Sequence, residues 1–420
     1  MKILVLGAGV IGVSSAYYLA KAGHDVTVIE ENSKTAQGCS LANGGQLSFA
    51  HVENWSSSLS LMSLVKRLIL KQSNISISNL KDKNFISWLL SLLSNSCGKK
   101  SYKNSRNLYR ISTLSRELFG KIIAEENIEF NFNNSGILHF FRTEKELSKA
   151  INHAKNLDLL DKEVIILNPN QCLEKEPTLQ KLHQDNKLAG GLFYKNDACG
   201  DCAKFVENLT KICQKKYNVK FEFNTKVKNI LTNYKKITGI NTSKQVFTAD
   251  HYVYALGFYG MNLLKGIKID PKIYPAKGHS VSFQQDSSHN TPQIGLTDSK
   301  NKIVYSKIGD VFRSAGTIDL NNNKNIVDNN KISFLKKVTN DNFLSYGSII
   351  EDSQWSGIRP FRANSLPVIC NVKKYGNLSL NSGHGSLGWT LSLASGKIIS
   401  DIIDSKLPDK FDFLEKEKIN

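Results

Sequence analysis

Three features of the chain predict an α/β fold that opens with a Rossmann-like dinucleotide-binding unit. A strand, a glycine loop and a helix stand in that order at its start. An acid follows about 20 residues past the loop, and strand-like runs then alternate with helical ones. At 420 residues the chain exceeds the roughly 250–300 at which a single core stops growing, so two or more domains are expected.

Residues 2–6, KILVL, form a short aliphatic run, and Gly7, Gly9 and Gly12 follow at once, ahead of the helical pattern VSSAYYLAKAG (13–23). Such glycines let main chain turn tightly and approach a pyrophosphate, whose charge meets the positive end of the helix. Ala16 keeps that helix close to the sheet and Gly23 ends it. DVTVIE (25–30) then forms a second strand finishing at Glu30, with Glu31 next. A carboxylate there receives the hydroxyls of an adenosine ribose. This motif alone does not separate FAD from NAD.

Further along, GILHFF (136–141), KFEFNTKVKNI (220–230), HYVYAL (251–256), HSVSF (279–283) and LSLNSG (378–383) read as strands, and 144–156 and 203–216 as helices. The Asn-rich DLNNNKNIVDNN (319–330) reads as a mobile surface loop. SLSLMSLVKRLILK (58–71) and FISWLLSLL (85–93) have the pattern of core-packing helices, with peripheral membrane contact as the competing reading.

Lys and Arg outnumber Asp and Glu by 55 to 37, a net charge of +18 that suits nucleic acid, an anionic membrane surface or an acidic substrate. The basic residues are spread out, which argues against nucleic acid, and the densest run, KKSYKNSRNLYR (99–110), reads as a solvated face. No stretch approaches the roughly 18 uninterrupted apolar residues of a membrane span, and MKILVLGAGV lacks the features of an export signal. A cytoplasmic location is therefore expected, with free thiols for the seven cysteines.

A second glycine loop stands near the far end, in NSGHGSLGWTLSLASGKIISDIID (381–404). A nicotinamide cofactor gives it no task. A flavin does: on reduction, negative charge builds at N1 and the C2 carbonyl, where a helix N-terminus stabilises it. Gly383, Gly385 and Gly388 let main chain pass against the ring, and Thr390 is placed to cap the helix that follows.

The stretches GAGVIGVSSAYYLAKAGHDVTVIEE, LANGGQLS (41–48), GGLFYKNDACGDC (190–202), YPAKGHSVS (274–282), GIRPF (357–361) and NSGHGSLGWTLSLASG resemble, in order and along essentially the whole chain, the D-amino acid dehydrogenase small-subunit family. That family belongs to the larger group of FAD-dependent D-amino acid, glycine and sarcosine oxidoreductases. The resemblance implies a Rossmann-like FAD-binding domain with an inserted α+β substrate domain. The FAD domain is expected from 1–80, 196–270 and 356–420, and the substrate domain from 81–195 and 271–355. The implied reaction is oxidation of D-amino acids to imino acids, which water converts to 2-oxo acids and ammonia. The electrons pass to a respiratory quinone or another acceptor, which brings the protein peripherally to the inner face of an anionic membrane.

Expected cofactor positions are Ile3, Leu4, Val5, Leu6, Gly7, Ala8, Gly9, Val10, Ile11, Gly12, Glu30, Glu31, Asn43, Gly44, Gly45, Gln46, Leu47, Val227, Ala255, Gly257, Gly383, Gly385, Ser386, Leu387, Gly388 and Thr390. Arg359 matches the family's carboxylate-binding arginine, whose planar fork holds a carboxylate by two hydrogen bonds. His279 stands where related sequences more often carry tyrosine, and it and His384 are the other candidates at the reacting centre. No acid–base dyad is visible, and no metal is expected. Cys199 and Cys202 have CxxC spacing, but no second pair follows.

Ala363, Asn364, Ser365 and Cys370 depart from the family pattern after GIRP, where a Pro-Asp-Gly turn and a later glycine are usual. Three alternatives stay open on sequence: an oxygen-using oxidase of glycine or a secondary amine, a flavoprotein acting on modified tRNA, and an inactive flavoprotein.

Overall fold

The structure is a computed structural model describing residues 1–52, 75–77, 81–96, 98–285, 291–415 and 419. The apolar segment 58–71 lies outside the described residues. Strands β1 (Lys2–Leu6) and β2 (Asp25–Ile29), joined by helix α1 (Val10–Lys21), pair in parallel at the centre of a six-stranded sheet. Its order is Val368–Asn371, Leu378–Ser382, His251–Tyr254, β1, β2, Lys220–Glu222, parallel except at the first pair. β1 is an unbroken aliphatic run because both its faces are covered: Ile3 and Val5 join one core, Leu4 and Leu6 the other.

The second sheet holds β3 (Ile137–Phe141), β4 (Ile273–Gln284), β5 (Gly295–Asp298), β6 (Ile303–Ile308), β7 (Val311–Leu320) and β8 (Trp355–Arg362). Across it run β4, β7, β6, β5, β3, Gly190–Tyr194 and Val164–Leu167, with β8 and Ser348–Ile349 both pairing with β4 and Ile75–Ile77 with β7. Sheet membership cuts across the expected segment edges at 80/81 and 355/356, because Ile75–Ile77 and β8 pair into this larger sheet. Strand pairing depends on register between distant segments, which local pattern does not carry.

Two further helices complete the first core. Helix α2 (Gly98–Glu126) contributes Leu108, Ile111, Phe119 and Ile122 to it. Helix α3 (Gly388–Ile403) lies against α1 so closely that a Cβ on Gly396 would fall 2.4 Å from the Ser14 carbonyl oxygen. That contact sets the two helices, and so their N-termini, side by side.

Two local expectations are corrected. KFEFNTKVKNI is two strands, Lys220–Glu222 and Val227–Asn233, because Asn224 turns the chain with φ of 52°. The Asn-rich segment is not a free loop. It ends β7, starts the helix Asn329–Asn342, and between them is tied down by Lys277 Nζ donating to the Ile326 carbonyl at 2.9 Å and by the Asp328 N–H reaching His279 at 3.3 Å.

FISWLLSLL lies in the helix Lys83–Ser94, which buries Phe85, Trp88 and Leu92 and exposes Ile86 and Leu90. KKSYKNSRNLYR lies in the first half of α2, with Lys99, Lys100, Lys103 and Arg106 exposed. No helix among the described residues is long and apolar enough to cross a membrane. The six described cysteines are free; burial pushes the Cys199 and Cys202 thiols up to about 12.

Candidate active site

A cavity of about 880 Å³ opens at the carboxyl ends of the parallel strands and runs under the larger sheet. Gly7, Gly9, Glu30 and Val227 line one end, and Gly44, Gln46, Arg359, Gly385 and Thr390 the other. In a parallel sheet this is the point where strand order reverses, between β1 and His251–Tyr254, and ligands bind there.

At the first end the glycines permit a contact no other residue allows. A Cβ on Gly12 would lie 1.9 Å from the Gly7 carbonyl oxygen, and Gly7 itself has φ of 100°. Helix α1 begins here with no side chain capping Gly9, although the Val10 N–H donates to Ser40 Oγ at 3.0 Å. The Glu30 carboxylate is buried and aimed at the cavity. It accepts from the Ala8 N–H at 2.8 Å and from the Asn32 N–H at 3.0 Å, with lone pairs left for ribose hydroxyls. Glu31 is at the mouth, paired with Lys226 at 3.3 Å.

At the other end α3 also starts without a side-chain cap at Leu387. A 3-10 turn, Gly385–Leu387, runs straight into it, with the Leu387 N–H donating to the His384 carbonyl at 3.0 Å. The N–H groups without helical partners are therefore those at the start of this turn, in a segment, Gly385–Thr390, that lines the cavity. Thr390 does not cap α3. It lies inside the first turn, and its Oγ1 instead accepts the Ser48 N–H at 3.1 Å, tying the 43–48 loop to the helix. Two uncapped helix ends at opposite ends of one cavity, with a ribose-binding acid between strand and mouth, fit FAD: one end for pyrophosphate, the other for the electron-rich edge of the ring.

Arg359 lies on β8. Its side chain crosses β4 at Gly278, where a Cβ would stand 2.2 Å from the guanidinium, and Nη1 donates to the Thr317 carbonyl at 3.1 Å. Among the described residues no carboxylate lies within 4.0 Å of it, and desolvation lowers its pKa from the usual value. The guanidinium is half-buried and lines the cavity; a partly desolvated cation without an anion beside it is costly, and a ligand carboxylate removes that cost. Thr317 has φ of 60°, a left-handed conformation that costs a β-branched residue on the order of 1–3 kcal/mol. With Ile318 it forms a β-bulge of β7 facing the single residue Gly278, between the pairs Lys277–Asp319 and His279–Gly316, and the bonds from Arg359 and His279 hold it there.

Both His279 nitrogens are engaged. Nε2 accepts the Asp328 N–H, so Nδ1 carries the proton and donates to Thr317 Oγ1 at 2.9 Å. His384 Nε2 meets Ser395 Oγ at 2.8 Å. Burial pushes His279 down to about 4, His384 to about 3 and His251 to about 4. All three are held neutral, so His279 positions Thr317 and Asp328 and is not a free base.

The sign of the pH effect follows. Below 6.5 the unfolded imidazoles take up protons that the folded ones refuse, so stability is full above 6.5 and falls as pH drops towards 4. Each shift is worth on the order of 3 kcal/mol. Buried Asp197, raised to about 7, works in the opposite direction as one group against three. The thermal midpoint should therefore drop steeply between pH 6.5 and 4.5, and less so in His279→Asn; a flat profile would contradict buried neutral histidines.

The structure brings most expected positions to the cavity: Gly7, Gly9, Val10, Ile11, Glu30, Glu31, Asn43 to Gln46, Val227, Ala255, Gly257, Gly385 to Gly388, Thr390, Arg359, His279 and His384. It keeps others away. Ile3, Leu4, Val5 and Leu6 face the two cores, Leu47 is in the first core, Ala8 is fully buried, and Gly12 acts through Gly7. Gly383 packs on Arg362, where a Cβ would be 2.8 Å from Cδ. Cys370 is buried in Val368–Asn371, also away from the cavity, while Ser365 adopts φ of 62°, the conformation a glycine would take without cost.

Sequence reading missed Ser40, Gly278, Thr317, His51 and His139. Only Ser40, next to the glycine-rich 38–45 stretch, carried a local signal.

Compared with known proteins, residues 2–402 match the family described as FAD dependent oxidoreductase, DAO. A D-amino acid dehydrogenase of Neisseria meningitidis serogroup C / serotype 2a is 36% identical over 406 residues, 97% of this chain and 96% of that one. Among solved structures, glycine oxidase from Bacillus cereus superposes with a TM-score of 0.71 at 19% identity, covering 98% of this chain and 99% of its own. L-alpha-glycerophosphate oxidase from Mycoplasma pneumoniae, solved with FAD bound, gives 0.73 at 17% identity, covering 96% and 94%. These two likenesses show a shared fold.

Proposed function

Because the chain belongs to the FAD dependent oxidoreductase family and carries out FAD-dependent oxidation of D-amino acids, we propose that Arg359 anchors the substrate α-carboxylate and that the electrons leave to a respiratory quinone or similar acceptor. The observation that carries the first part is a half-buried guanidinium that lines the same cavity as two uncapped helix ends and has no carboxylate partner among the described residues. FAD held by the two helix ends and Glu30 would supply a two-electron oxidant able to accept the α-carbon hydrogen as hydride.

The protein's own part is orientation. Arg359 holds the carboxylate by its fork, Thr317 and Gly278 fix the guanidinium, and His279 fixes Thr317. The N–H groups at the start of the turn that leads into α3 favour negative charge beside them. His384, locked to Ser395, stays neutral and adds no competing cation. The imino acid is hydrolysed by water without further help from the protein.

Support for a membrane-borne acceptor comes from the outward Ile86 and Leu90 on Lys83–Ser94 and the exposed Lys99, Lys100 and Lys103 at the start of α2, the next helix. The test is anaerobic addition of D-alanine, other D-amino acids and their L-isomers to the purified yellow protein. Bleaching by D-isomers alone is expected. Equal bleaching by L-isomers, or none by any, would overturn the reading. On readmitting air, little peroxide and fast reoxidation by a soluble quinone are expected. Stoichiometric peroxide would make oxygen the acceptor, and failure to pellet with anionic vesicles at low salt would remove the membrane contact.

A further inference from the structure

We propose that His51, positioned by His139 and Asp197, recognises the far end of the substrate side chain, and that preferred D-amino acids carry a carboxylate there, as D-glutamate does. This rests on the D-amino acid reading above and adds the side-chain class.

Three separated segments meet at this point. The His51 and His139 rings are 4.1 Å apart between centroids, both line the cavity, and the Tyr194 ring backs them at 5.3 and 4.7 Å. Asp197 is fully buried and accepts the Ala50 N–H at 2.8 Å, which fixes the main chain just before His51. It does not line the cavity. His51 is half-buried and accessible from the cavity, whereas His139 is only 3% exposed. Contact with a ligand therefore falls to His51, and His139 orients it.

Distance decides which part of a substrate the pair meets. Ala315, Val304, Thr297 and His139 form one cross-strand row over β7, β6, β5 and β3. His139 is thus three strand spacings, about 14 Å, from the strand of Thr317, to which the Arg359 guanidinium is tied. The α-amino group shares a carbon with the carboxylate that Arg359 holds, so it stays near Arg359. The imidazole pair faces the other end, where a side chain with a terminal polar group reaches and the methyl of D-alanine does not.

Charge decides which polar group. Among the described residues the only acids lining the cavity are Glu30 and Glu31, both at the ribose end, while Arg359 and Lys302 line the rest. Among the described residues the cavity lining offers a cationic side chain no counter-charge there, since Asp197 is fully buried and does not line it. A carboxylate meets an imidazole that donates to it, in a field that is positive overall.

The test uses the flavin-loaded enzyme. D-glutamate should reduce it with kcat/KM about tenfold or more above D-alanine and D-lysine. Independently of turnover, glutarate should perturb the flavin spectrum at about tenfold lower concentration than butyrate. His51→Leu should collapse both ratios towards one, and His51→Gln, which keeps a donor, should restore part of each. A D-glutamate to D-alanine ratio near one, or a ratio unmoved in His51→Leu, overturns the assignment. If no D-amino acid bleaches the flavin, the functional reading falls, and the glutarate-to-butyrate comparison still judges His51.

Discussion

Replacing Arg359 with alanine is expected to lower kcat/KM for D-amino acids by about 10²- to 10³-fold while the protein stays yellow. Removing one partner of a buried, hydrogen-bonded charge pair costs about 2–5 kcal/mol, and each 1.4 kcal/mol is tenfold. Arg359 makes that pair only when a substrate carboxylate is present, so the loss should show in substrate affinity and not in flavin content. Arg359→Lys should recover little, because an ammonium keeps the charge but not the two-bond fork. Gly278→Ala is the companion variant: the added Cβ would stand 2.2–2.5 Å from the guanidinium atoms and must push Arg359 off Thr317. It should copy the Arg359 phenotype without touching the arginine itself. An unchanged KM in both variants would remove Arg359 from substrate binding.

Replacing Gly12 with alanine should leave a protein that folds but purifies with almost no flavin. The new Cβ would meet the Gly7 carbonyl oxygen at 1.9 Å, and both groups belong to the main chain, so neither rotates away. The loop must shift by more than 1 Å, which moves the N–H groups at the start of α1 off the pyrophosphate they are expected to hold. Gly120→Ala is the control. It lies within α2 with nothing within 4 Å of the added carbon, and it should retain flavin and gain about 0.5–1 kcal/mol of stability. Full flavin content in Gly12→Ala, read as the visible-to-ultraviolet absorbance ratio, would contradict a cofactor-binding role for this loop.

Much of this was legible in the chain. The strand–loop–helix at residues 2–21 and the acid at Glu30 are local patterns, and the folded chain brings Gly7, Gly9 and Glu30 to the cavity. The far glycine loop was also legible, because a flavin has an electron-rich edge that needs a helix end and a nicotinamide has no use for one. Thr390 was misread for a physical reason: capping depends on where the helix actually begins. Main chain from Gly388 onwards is already helical, which leaves the hydroxyl to bond Ser48. The Asn-rich segment is a surface loop over 321–328, as its composition reports, but composition gives no sign that Lys277 and His279 hold it from beneath.

Order along the chain was enough to determine the fold class, the cofactor and the family, since each is written in contiguous stretches whose spacing reflects one helix, strand or turn. Pairing between stretches was left to the folded protein. Only there do β8 and β4 align Arg359 over Gly278, the bulge of β7 opposite Gly278 set Thr317 in its strained conformation, and the segments holding residues 51, 139 and 197 meet around one end of the cavity. These contacts join residues tens to hundreds of positions apart through strand register and the close crossing of α1 and α3. A single sequence carries no periodicity at those separations from which such contacts can be read.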